Sequence, residues 1–168
     1  MKKDLIDYGR LVDEAMHVIV FKVLKRVEQE GLPGEHHFFI SFGTRHKGVR
    51  ISENLLVKYP HEMTIVLQYQ YQDLKVDAKG FSITLSFDGC KENIYIPYGA
   101  ITSFADPSVQ FGLQFREVEY DFEDVEVNVE SDAIAHPKHK NVSSEEITES
   151  ISDNVISFDQ LRKHGQHQ

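Results

Sequence analysis

Nine histidines, a single cysteine and two glutamines inside an apolar run are the residues here whose chemistry could bind or react. Histidine clusters suggest a metal, but the spacing works against one. His36 and His37 are adjacent in a run that reads as a strand, so their side chains would leave opposite faces. HPKH at 136–139 and HGQH at 164–167 have ligand-like spacing, yet no cysteine or carboxylate in an ordered element completes a tetrahedral set. Cys90 has no second thiol for a disulfide or a redox pair, and it follows an Asp88-Gly89 turn where only Lys91 would lower its pKa. The sequence holds no Gly-rich phosphate loop, no GxSxG elbow and no local Cys/His motif. No metal, no cofactor and no enzymatic activity are expected.

The glutamines are more informative. Gln68 and Gln70 interrupt TIVLQYQYQDL two residues apart, where a core-facing alternation would place Val or Ile. One reading is a solvent-exposed face. The other is a groove in which an amide both donates to and accepts from the backbone of an extended peptide, with apolar neighbours forming side-chain pockets.

The elements that must position such a groove follow from periodicity. From Asp4 to Glu30, Leu5, Tyr8, Val12, Met16, Ile19, Val23 and Val27 recur every three or four residues, which predicts a helix of roughly 26 residues, about 39 Å long. Gly31-Leu32-Pro33-Gly34 stops it. Leu11, Val18, Val20, Phe21 and Leu24 lie off that stripe, so the helix either sits deep in its own core or pairs with a second copy. HHFFISF at 36–42, MTIVLQYQ at 63–70, FSITLSF at 81–87 and NIYIP at 93–97 read as strands, and GAITSFADP and VQFGLQF supply more. Asp88-Gly89 predicts an antiparallel hairpin. The pattern is α+β, with a curled sheet or small barrel after one long helix.

Charge divides the chain. Residues 117–153 hold twelve Asp or Glu against two Lys, while the rest holds sixteen Lys or Arg against fifteen acids. A near-neutral domain argues against nucleic acid as a partner. The acidic stretch reads as a disordered spacer, since it buries too little to offset an ordering cost of about 1–2 kcal/mol per residue. A last strand is expected to end between Val118 and Val127. No apolar run of membrane-spanning length and no signal-peptide pattern is present, so a soluble, cytoplasmic protein with no membrane partner is expected. Hydrophobicity returns at NVISFDQLRK, residues 154–163, which either docks on its own domain or binds something else.

EMTIVLQYQYQDL at 62–74, FSITLSFDGCKENIYIPYGAIT at 81–102 and DPSVQFGLQF at 106–115 closely resemble the SspB family, in particular its alpha branch. SspB proteins are adaptors that deliver ssrA-tagged polypeptides to the ClpXP protease. The resemblance implies a small two-sheet, β-barrel-like domain after the helix, and a homodimer formed through that helix by Leu11, Val18, Val20, Phe21 and Leu24. It implies a groove for an extended tag, with Gln68 in contact and Gln70, Phe81 and Phe87 as neighbours. The family's terminal ClpX-binding pattern, VSLDxFRK, is similar to VISFDQLRK here, implying contacts from Val155, Ile156, Ser157, Phe158, Asp159, Leu161, Arg162 and Lys163. Phe158 stands where leucine is usual and Leu161 where phenylalanine is usual. The implied organisation is a dimerisation helix at 1–34, a peptide-binding domain at 35–127, an acidic linker at 128–153 and a ClpX-binding tail at 154–168. The rival reading is a small-molecule-binding β-barrel with a solubilising acidic tail.

Overall fold

The computed structural model describes residues 4–116. The expected strand end near Val127, the acidic linker and the 154–168 tail lie outside the described residues. Helix α1 spans Tyr8–Glu30. The Asp7 side chain caps it by accepting from the Arg10 amide at 3.2 Å, and Asp4 accepts from the Ile6, Asp7 and Tyr8 amides. At the other end Gly31 takes a positive φ of 79° and donates to the Val27 carbonyl, which side chains with a Cβ resist.

The buried stripe of α1 is Asp13, His17, Val20, Leu24 and Val27. It has helical spacing but not the phase expected from apolar residues alone. Tyr8, Val12 and Ile19 of the expected stripe are exposed, whereas Val20 and Leu24, assigned above to a partner-facing set, are fully buried in the chain's own core. Two polar residues hide the true phase. Asp13 is buried because Arg116 binds it through Nε and Nη2, each at 3.0 Å, and His17 stacks on Phe115 with ring centres 4.5 Å apart.

Seven strands follow among the described residues. Strands β1 (Phe38–Gly43), β2 (Glu62–Leu67), β6 (Ile101–Asp106) and β7 (Phe111–Gln114) form one antiparallel sheet in the order β2-β1-β6-β7. Strands β3 (Gln72–Val76), β4 (Gly80–Phe87) and β5 (Cys90–Pro97) form a second in the order β3-β4-β5. The Asp88-Gly89 hairpin forms as expected: both residues have positive φ, and Phe87 pairs with Cys90. Alternation along β4 turns Phe81, Ile83, Leu85 and Phe87 inward, where they join Phe42, Ile40 and Phe104 from the first sheet and Val20 and Leu24 from α1 in one core. Burying each such side chain contributes roughly 1.5–3 kcal/mol. The α+β class and the two-sheet arrangement are therefore as read from the sequence. A short helix, α2 (Glu53–Lys58), capped by Ser52, and strand β3 were not anticipated. No helix among the described residues is long and apolar enough to cross a membrane.

Candidate functional site

The chain passes from one sheet to the other at residues 68–71. Strand β2 ends at Leu67, whose partner Phe38 is the first residue of β1, so the ladder has nothing to pair with beyond that point. The strand expected to run to Gln70 therefore stops three residues early. Gln68 and Gln70 lie in the crossover and not on a strand face; Gln68 is half-buried, Gln70 is exposed, and Tyr69 between them is 81 % exposed.

Beside the crossover is an open cleft of about 350 Å³, bounded by residues 69–72, by 84–86 on β4 and by Lys91 on β5. Its walls carry polar groups that are already ordered. The Lys91 ammonium donates to Gln72 Oε1 at 3.0 Å, Asn93 Nδ2 donates to Thr84 Oγ1 at 3.0 Å, and Thr84 Oγ1 donates to Asp73 Oδ2 at 3.3 Å. Asp73 has a left-handed φ of 52°, and the β3-β4 register shifts between Gln72 and Lys75, a bulge that re-aims the start of the edge strand. The cleft thus offers exposed aromatic surface, amides that donate and accept, and a cation whose hydrogen-bond partner is a neutral amide. Side-chain amides of this kind can both donate to and accept from the backbone of an extended chain.

Of the residues singled out from the sequence, Gln70 lines this cleft and Gln68 is its chain neighbour. Phe81 and Phe87 are buried in the core, at 0 % and 4 % exposure, so they support β4 from beneath and present no surface to a ligand. The alternation of FSITLSF carries that information, because Phe81, Ile83, Leu85 and Phe87 share a face opposite to Ser82, Thr84 and Ser86. Tyr69, Gln72 and Lys91 were missed. Their signal is weak: Lys91 pairs with Ser86 in the hairpin register and so lies on the polar face.

Among the other polar clusters, His36, Asp106 and Ser108 have triad residue types but not triad order. His36 Nδ1 and the Ser108 hydroxyl both engage the Asp106 carboxylate, each at 2.5 Å, while the hydroxyl lies 3.5 Å from the imidazole. The hydroxyl points at an acid and not at a base, so the group anchors the turn after β6. Cys90 is exposed at the hairpin turn. Among the described residues no three His, Cys, Asp or Glu side chains converge as a metal site would require.

A comparison with curated proteins finds no match. The family model described as stringent starvation protein B matches residues 10–160, which takes in nearly all of α1, both sheets and the crossover cleft. A match over that much of the chain, on a helix followed by two antiparallel sheets, establishes that it belongs to the stringent starvation protein B (SspB) family, a family of adaptors rather than enzymes.

Proposed function

We propose that the protein is a proteolytic adaptor that captures ssrA-tagged polypeptides in the crossover cleft and delivers them to ClpXP. The observation that carries this reading is the composition of the cleft: exposed Tyr69, the amides of Gln70 and Gln72, and Lys91 beside an open edge between two sheets, in a chain of the SspB family. An extended tag satisfies its backbone there through amide side chains, and Tyr69 supplies apolar area at low entropic cost. Residues 154–163 then bind ClpX, and residues 117–153 link that motif to the domain.

The protein acts as a homodimer in this reading. Leu5, Ile6, Tyr8, Leu11, Val12 and Ile19 are exposed large apolar side chains at the start of α1 and along it, and a second copy of the helix would cover them. Leu11 belongs to the set named from the sequence, and Val18 and Phe21 are half-buried, leaving part of each for a partner. The adaptor performs no chemistry and works in the cytoplasm, where tagged chains and the protease meet.

Titrating the full chain into a fluorescent ssrA-type peptide tests the reading, with saturable binding as the expected result. A peptide that shows no saturation, or one that binds a Tyr69→Ala variant as tightly as the wild type, removes the cleft from the mechanism.

A further inference from the structure

The outer face of the three-stranded sheet carries a second and larger cleft, of about 610 Å³, walled by Glu28, Arg50, Lys75, Asp77, Asn93 and Tyr95. By count its charges cancel, but by engagement they do not. Both Glu28 oxygens are committed: Oε2 to Lys25 at 2.5 Å and Oε1 to the Val76 amide at 3.0 Å. Asp77 is committed too, accepting through Oδ1 from the Lys79 and Gly80 amides at 2.7 and 2.9 Å, while the Tyr95 hydroxyl lies 3.3 Å from both its oxygens. Arg50 and Lys75, by contrast, form no ion pair among the described residues.

Arg50 is also held in place. Its backbone exchanges two hydrogen bonds with Tyr95, at 3.0 and 2.9 Å, and its guanidinium lies 4.5 Å from the centre of the Tyr95 ring. A stacked guanidinium is pre-ordered and keeps its N–H edges for a ligand. With Lys25 paired to Glu28, Arg50 and Lys75 face the still-charged Asp77 and the Asn93 amide, so the cleft keeps a local excess of one positive charge. The chemistry that completes it is an anion with two acceptor oxygens.

This cleft lies beside the first on the same sheet. Asn93 lines the second cleft, and its amide bonds Thr84, which lines the first. Lys91 of the first and Tyr95 of the second are four residues apart on β5, about 13 Å along the sheet. We propose that the second cleft is a carboxylate subsite that takes an Asp or Glu side chain from the same polypeptide whose tag lies in the first. The proposal rests on the peptide-capture reading, and it assigns a substrate preference that the reading does not contain: tags with an acidic residue about four positions from the segment held near Lys91.

The test titrates the full chain with two ssrA-type peptides that differ only in carrying Glu or Gln at positions three to five residues to either side of the captured segment. The wild type should bind the Glu peptide about three- to tenfold more tightly at low salt, and the preference should shrink at about 0.5 M salt. Arg50→Gln with Lys75→Gln should remove the preference and leave affinity for the Gln peptide unchanged, and Lys75→Gln alone should halve it on a logarithmic scale. Equal binding of both peptides by the wild type, or an undiminished preference in the double and single variants, overturns the subsite while peptide capture stands. If neither peptide binds, the capture reading falls and the subsite falls with it.

Discussion

Gln68 is half-buried where the chain leaves the first sheet, one residue before Tyr69 of the cleft, and in the proposed reading its amide serves a bound backbone. Replacing it with alanine should weaken tag binding about two- to tenfold, the value of a net hydrogen bond of roughly 0.5–1.5 kcal/mol, without moving the urea midpoint. A titration with matched unfolding curves checks both halves. Gly80 should behave in the opposite way. A Cβ there would lie 2.4 Å from the Ile96 carbonyl oxygen and 2.8 Å from the Pro97 Cα, both backbone atoms that cannot swing aside. Gly80→Ala should cost about 1–3 kcal/mol in chemical denaturation. His17 gives the domain an acid sensitivity. Burial against Phe115 lowers its pKa from 6.5, and neighbouring Asp13 offsets this only in part. The unfolded chain therefore takes up a proton at a higher pH than the folded one. Stability is full above about 6.5 and falls as pH drops from there through the lower folded value. His17→Phe should flatten that part of the pH profile. At this scale the sequence was half legible: the glutamines stand out as polar residues in an apolar run, whereas Lys91 and Arg50 are ordinary surface cations until strand pairing sets them beside a cleft.

Among the elements, the β4-β5 hairpin was readable because its signals are local, an Asp-Gly turn between two alternating runs. Strand β3 escaped because QDLKV is short, lies at a sheet edge and is bulged, so only Leu74 and Val76 alternate inward. Helix α2 escaped because six residues hold less than two turns of periodicity. Helix α1 was found but its phase was not, since Asp13 and His17 occupy core positions that an apolar pattern cannot mark. This correction decides how the dimer is tested. Val20→Asp would place a charge in the core and unfold the domain, so its loss of assembly would say nothing about pairing. Leu11→Asp or Val12→Asp, at 45 % and 56 % exposure, should leave the fold intact and halve the mass seen by sedimentation at micromolar concentration. An unchanged sedimentation coefficient would move the dimer contact off α1.

For the whole molecule, the proposed division of labour between domain and tail makes its own prediction. Deleting residues 154–168 should leave tag affinity unchanged and abolish the adaptor's stimulation of ClpXP, measured as degradation of a tagged fluorescent substrate. Phe158→Ala should reproduce much of that loss, since a buried anchor of its size contributes about 1.5–3 kcal/mol. Shortening 117–153 should matter little until the tether no longer spans, because effective concentration changes gently with length within reach. Full delivery by the truncated protein would end the tethering mechanism. In that reading the point at which the described domain ends matters as well. Arg116, the last described residue, grips Asp13 across a gap of 103 positions in sequence, and its guanidinium lies where Gly9 leaves no side chain. Phe115 is pressed against His17 just before it. Traction applied beyond Arg116 is thus borne first by the long helix and its ion pair instead of by the four-residue edge strand β7, which alone would peel one hydrogen bond at a time. If the protein hands cargo to a pulling machine as proposed, the strain on its own fastening is passed to the long helix.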